Sequence, residues 1–193
     1  MKPLYLFLVV LLLTLDSHGQ TEKVIDWTFY TKSASFNDTP EASNLKALEI
    51  VEITVDGKAV MPGQPFAAEG EWLKTFAIKL RNTSGKPISS IRMHFGLPEA
   101  KVSDTVSAGF SLEYGKELST GIDYGTQHPI QPGQEVELIR NERHYLRDRH
   151  GIAERTNVTD FNSVVIGATV VKFEDGSVWI SYKLPFPASV LSN

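Results

Sequence analysis

The chain contains no cysteine. That absence excludes a disulfide framework, a thiol nucleophile and any cysteine-ligated zinc or iron–sulfur centre. A dominant charge is lacking too. Nineteen Lys plus Arg stand against 23 Asp plus Glu, a formal net charge of −4, so no nucleic-acid partner is expected on electrostatic grounds. There is no G-x-S-x-G, no H-E-x-x-H and no calcium-loop signature. Ser84-Gly85-Lys86 lacks the upstream glycine of a phosphate loop, and Pro87 stands where that loop needs Ser or Thr. What remains is ordinary globular material: 193 residues, 41% hydrophobic and 22% charged, which excludes intrinsic disorder.

The one long apolar run lies at the start, MKPLYLFLVVLLLTLDSHGQ. Lys2 supplies a positive flank, residues 4–15 are almost unbroken apolar, and Ser17-His18-Gly19 offers small residues for cleavage. A membrane span needs about 20 residues, so this length suits a signal peptide. The expectation is a leader over 1–19, removed after Gly19, and a secreted or periplasmic product without stable membrane insertion. The C-terminal KLPFPASVLSN carries no hydrophobic tail that would suggest an anchor. Small exported eukaryotic domains usually use disulfides, so an exported chain without cysteine points to a bacterial source. N-x-S/T triplets at Asn37, Asn82 and Asn157 matter only in a glycosylating host.

Beyond residue 45 the apolar residues recur with period two. Val51, Ile53 and Val55 alternate with polar neighbours before Asp56-Gly57 turns the chain. Phe76, Ile78 and Leu80 share one face; Ile91, Met93, Phe95 and Leu97 share another; Phe110, Leu112 and Tyr114 follow. Such patterning predicts half-buried antiparallel strands. Seven or eight of them cover their apolar faces most simply as two stacked sheets, an immunoglobulin-like β-sandwich over residues 45–193. Residues 20–44 read as an N-terminal extension, with Trp27, Phe29 and Tyr30 in an edge strand and 33–44 as a linker.

Two local signals are sharper. Asp175-Gly176 between β-rich runs predicts a two-residue hairpin turn. Counting outward pairs Phe173 with Val178, Val171 with Ile180 and Lys172 with Trp179, which leaves Trp179 facing solvent or covered by a loop, with the Lys172 stem against its ring. Downstream of the strand-like residues 135–139, Asn141 is a good N-cap and Gly151 stands where a C′ glycine belongs. One short crossing helix over about 142–150 follows, docked by Tyr145, Leu146 and Ile152.

Candidate chemistry is sparse. His144 and Asp148 lie four apart on that helix and so share a face, where a solvated ion pair is expected rather than a metal site or proton relay. The five arginines between Arg140 and Arg155 are matched by Glu135, Glu137, Glu142, Asp148 and Glu154, so a salt-bridged surface is expected. The loop over 116–134 is longer than a sandwich connection needs, and long loops tend to carry function. Asp123, Tyr124 and His128 on it are ligand-binding candidates, with Trp179 and Lys172. Trp72 shares parity with Phe76 and Ile78, which reads as core.

The stretches EWLKTFAIKLRNTSGKPISSIRMHFGLPE, SLEYGKEL, IQPGQEVELI and HYLRDRHGIAERTNVTDFNSVVIGATVVKFEDGSVW resemble a group of secreted bacterial single-domain β-sandwich proteins with no assigned activity. The resemblance spans residues 48–180 and rests on turn-and-strand features, so it implies a fold and export but no functional residues. N-T-S-G-K-P-I between strands also resembles immunoglobulin-like and fibronectin-like modules, although here an inter-sheet disulfide is impossible. These readings together predict an exported, non-enzymatic sandwich without cofactor or metal that binds a protein or envelope component. A carbohydrate-binding module using Trp179 and Tyr124 is the alternative, and a hydrolase with paired carboxylates the second.

Overall fold

A computed structural model describes residues 20–26, 47–115 and 128–181. The expected leader, Trp27, Phe29 and Tyr30, the 33–44 linker, and Asp123 and Tyr124 lie outside the described residues. The elements are β1 (Thr21–Asp26), β2 (Leu48–Val55), β3 (Lys58–Ala59), β4 (Pro65–Ala68), a 3-10 turn (Trp72–Lys74), β5 (Ala77–Asn82), β6 (Ile88–Ser103), β7 (Val106–Tyr114), β8 (Glu135–Ile139), α1 (Glu142–Thr156), β9 (Ser163–Phe173) and β10 (Val178–Ser181). The protein is thus mostly β, in two sheets, with a single α-helix among the described residues. One sheet runs β4-β1-β9-β6-β7, with β10 also paired to β9; the other runs β3-β2-β5-β8.

The period-two faces become the shared core. Phe76, Ile78 and Leu80 from one sheet and Ile91, Met93, Phe95 and Leu97 from the other are fully buried, each such side chain contributing roughly 1.5–3 kcal/mol. Aromatic rings join the two layers: Phe76 meets Phe95 edge-on at 5.3 Å, and Phe95 stacks on Phe110 at 4.9 Å. Trp72 is buried as its parity predicts, its Nε1 donating to the Phe161 carbonyl at 2.7 Å.

Several expectations need correction. Among the described residues the strands number ten rather than seven or eight, and one pairing is parallel, with Val24, Ile25 and Asp26 of β1 beside Ser163, Val164 and Val165 of β9. The N-terminal stretch thereby supplies an interior strand, whose inward Lys23 is fully buried and held by Asn162 Oδ1 at 2.9 Å and Asp160 Oδ1 at 3.2 Å. In β2, pairing with β5 slips between Ile50 and Glu52. That bulge takes Val51 out of the core series and turns Ile50 inward together with Ile53 and Val55.

The β9–β10 hairpin differs by one residue. Asp175 is not in the left-handed region, whereas Gly176 is, at φ 82°. The Gly176 amide donates to the Phe173 carbonyl and the Phe173 amide to the Ser177 carbonyl, giving a three-residue loop of Glu174, Asp175 and Gly176. Val171 therefore faces Trp179, and Lys172 faces Val178. A one-residue slip exchanges the two faces of a strand. Trp179 is accordingly buried at 5% exposure, while Val178 is exposed.

The helix is also longer than expected. Asn141 caps it, its side chain accepting from the Arg143 amide, but the turns continue through Gly151 to Thr156. Asn157, at φ 59°, closes it in the left-handed conformation. Tyr145 and Ile152, seven apart on one face, are the buried anchors, whereas Leu146 is half exposed. Ion pairs from Glu142 to Lys74 (2.6 Å) and from Arg149 to Glu71 tie α1 to the 3-10 turn.

Candidate functional site

The β-parity that buries Leu138 continues past the end of β8. Val136, Leu138 and Arg140 alternate with Glu135, Glu137 and Ile139, and Arg140 accordingly points inward at 4% exposure. Its amide donates to the Phe76 carbonyl at 3.2 Å, fastening the strand end. The guanidinium lies over the Phe110 ring at 3.6 Å, with the Tyr145 ring at 5.2 Å, a desolvated cation–π arrangement. Nη2 donates to Asp148 Oδ2 at 3.3 Å, and Nε has no partner. Burial pushes the guanidinium pKa down to about 10, opposed by Asp148.

Arg140 belongs to a cleft of about 140 Å³ between β7, β8 and the first half of α1. One wall is Ser111, Leu112, Glu113 and Tyr114; the other is Glu137, Leu138 and Ile139; His144 and Asp148 stand at the helical end. Consecutive residues, not alternate ones, line both strand walls. Because side chains alternate across a strand, such a wall is the strand's edge. β7 and β8 are indeed terminal strands of their respective sheets.

Two of the three acids of this cleft, Glu113 and Asp148, are engaged by arginines. Glu113 accepts from Arg92 Nε at 2.6 Å. Asp148 accepts from Arg140 and, at 3.1 Å, from Arg147 Nη2. His144 and Asp148, expected to share a solvated helix face, both line the cleft, and two arginines share the Asp148 carboxylate. The salt-bridged surface holds for Arg147 and Arg149 but not for Arg140, which is interior. Tyr114 donates its hydroxyl to the His128 carbonyl at 2.5 Å, and burial pushes its phenol pKa up. Among the described residues no group of three or more His, Asp or Glu side chains is placed to hold a metal ion.

The candidates named from sequence are therefore dispersed. His128 is exposed and joined through its carbonyl to the cleft residue Tyr114. Trp179 and Lys172 sit at the far side of the large sheet, where β9 and β6 separate β10 from β7. The Trp179 ring is buried opposite Val171, so it offers no stacking platform, and Lys172 lies on the other face. Arg140 and Glu137 were visible only as members of a balanced charge run; the strand parity of residues 136–140 is the signal that separates them. Compared with protein-family models, curated proteins and solved structures, the chain matches none.

Proposed function

We propose that the chain is an exported, non-enzymatic binding module of the immunoglobulin-like sandwich class that recognises a protein or another envelope component through the β7–β8 cleft. The leader-like N-terminus supports export. The observation that carries the binding reading is the construction of the cleft from two strand edges, with Glu113 and Asp148 engaged by arginines. At about 140 Å³ it is smaller than the roughly 300–1,000 Å³ that encloses a drug-sized ligand, which favours a ligand laid along the surface. A carbohydrate reading loses its strongest stacking ring with Trp179 inside the core. For a hydrolase, one carboxylate must stay available to a proton and another to water or sugar; the arginine pairs oppose that use at Glu113 and Asp148, which leaves Glu137 as the cleft's one other acid.

The test is capture from secreted and envelope fractions by the immobilised mature protein and its Glu137→Lys variant, both checked for native circular dichroism. Glu137 is exposed on the cleft wall, so charge reversal should leave the fold intact and deplete the captured component at least tenfold. Equal capture by both proteins would remove the cleft from the proposal.

A further inference from the structure

We infer that Lys23 and Asn162 condense into an intramolecular amide cross-link, with Asp160 carrying the protons and ammonia as the leaving group. The cross-link stands apart from the cleft and does not depend on the binding-module reading.

A chain without cysteine can be stapled only through other side chains. An amide between a lysine amine and a carboxamide carbon needs neither an oxidant nor a co-reactant. Lys23 has the surroundings for the amine's part. The alternation of β1 buries Lys23 and Ile25 and leaves Glu22 exposed. Both sides of the strand are held, with Lys23 opposite Phe66 of β4 and Val24 opposite Ser163 of β9. The Lys23 side chain is 0% exposed. An ammonium there carries a desolvation cost that a neutral amine does not, and the neutral amine is the nucleophile.

The electrophile lies beside it. The Val24 amide donates to the Asn162 carbonyl at 2.8 Å, which sets Asn162 next to Lys23 at the start of the parallel ladder. Lys23 Nζ donates to Asn162 Oδ1 at 2.9 Å and to Asp160 Oδ1 at 3.2 Å. Glu99 Oε1 steadies the same segment, accepting from the Asn162 amide at 3.2 Å and the Ser163 hydroxyl at 2.9 Å. An amine and a carboxamide 139 residues apart in sequence are thus held in contact, and such positioning turns an encounter into an intramolecular step. Asn162 and Asp160 are exposed on their outer side, which gives ammonia a way out.

In the step itself, the Lys23 ammonium passes a proton to the Asp160 carboxylate, leaving an amine beside a neutral acid. Nζ attacks Asn162 Cγ, and the carbonyl electron pair moves onto Oδ1. Asp160 gives its proton to Nδ2 and takes one from Nζ. The carbonyl re-forms, the Cγ–Nδ2 bond breaks, and ammonia leaves with that last proton as ammonium. One lysine ammonium and one carboxamide become one secondary amide and one ammonium ion, and Asp160 ends as the carboxylate it was.

Tryptic digestion of the folded wild-type chain, read by tandem mass spectrometry, tests this. Trypsin cuts after a free Lys23 but not after an acylated one, so the peptide containing Lys23 should run on to Lys32 and be joined to residues 156–172. That joined species, lighter than its two components by one ammonia, is expected to replace the separate peptides. Cyclisation of Asn162 onto its own backbone also releases ammonia, but it joins no peptides. Lys23→Arg, Asn162→Ala and Asp160→Ala, each checked for native circular dichroism, should all lack the joined species. Separate peptides cut after Lys23 in the folded wild-type chain would overturn the inference, because Lys23 is then a hydrogen-bonded ammonium only. That reading needs no variant to fold. Joined peptides from Asp160→Ala at the wild-type yield would overturn the part given to Asp160.

Discussion

Arg140 concentrates the residue-scale argument. A guanidinium at 4% exposure, held by one carboxylate at 3.3 Å and two aromatic rings, carries a desolvation cost that its partners only partly offset. Arg140→Met replaces the guanidinium over Phe110 with an apolar thioether, and Asp148 retains Arg147, so unfolding in urea should show stability unchanged or raised by up to about 2 kcal/mol. The pH dependence has a defined sign. Folding lowers the guanidinium pKa to about 10, so below pH 10 both states are charged and the cost of burial is complete. Above pH 10 the folded state sheds its proton before the unfolded chain does, and wild type should gain stability relative to Arg140→Met. Asn82 shows the opposite balance. Its buried side chain donates to the carbonyls of Lys86 and Ile130 at 2.9 Å and accepts from the amide and hydroxyl of Ser84. Asn82→Ala should cost roughly 2–3 kcal/mol, measured by the same unfolding, because those groups lose partners where water does not reach. From sequence this stretch is a loop by composition. Nothing in N-T-S-G-K-P predicts that Asn82 turns inward, since its partner Ile130 lies 48 residues away.

At the scale of elements, one dipeptide forms two different turns. Asp56-Gly57 has both residues at positive φ, 51° and 69°, the two-residue type I′ turn that Asp-Gly favours. Asp175-Gly176 does not, because the Asp175 carboxylate accepts from the Ser177 amide and hydroxyl and pairs with Lys86. Those contacts hold Asp175 outside the left-handed region and add Glu174 to the loop. The hairpin was therefore legible, but its register was not, and the one-residue difference decides whether Trp179 is surface or core. Gly176→Ala should cost about 1–2 kcal/mol, since only the backbone conformation opposes it and the space around it is open. Gly151 gives a contrasting test for the helix. A Cβ there meets nothing within 4 Å, and the residue is interior to α1, so Gly151→Ala should stabilise by roughly 0.5–1 kcal/mol in thermal or urea unfolding. A helix ending at His150 with a left-handed glycine behind it would instead be destabilised by the same change.

On the scale of the whole molecule, period-two patterning was sufficient to reveal two apolar-faced sheets, because each face must be covered whatever the order of strands. Strand order was beyond it. The parallel placement of β1 beside β9, and the terminal positions of β7 and β8, depend on contacts between segments far apart in sequence. The cleft exists only because those two edges lie on the same side, beneath the crossing helix. For that reason its lining residues, drawn from 111–114, 137–141 and α1, read from sequence as unrelated strand ends and a balanced charge run. Recognition at this cleft is the account's central claim, and site-specific photo-crosslinking in the producing cells tests it most directly. A photoreactive residue at Ile139, on the cleft wall, is compared with one at Val178 on β10; both side chains are more than half exposed. The account predicts a discrete crosslinked adduct from position 139 and none from 178. An adduct from 178 with none from 139 would contradict it.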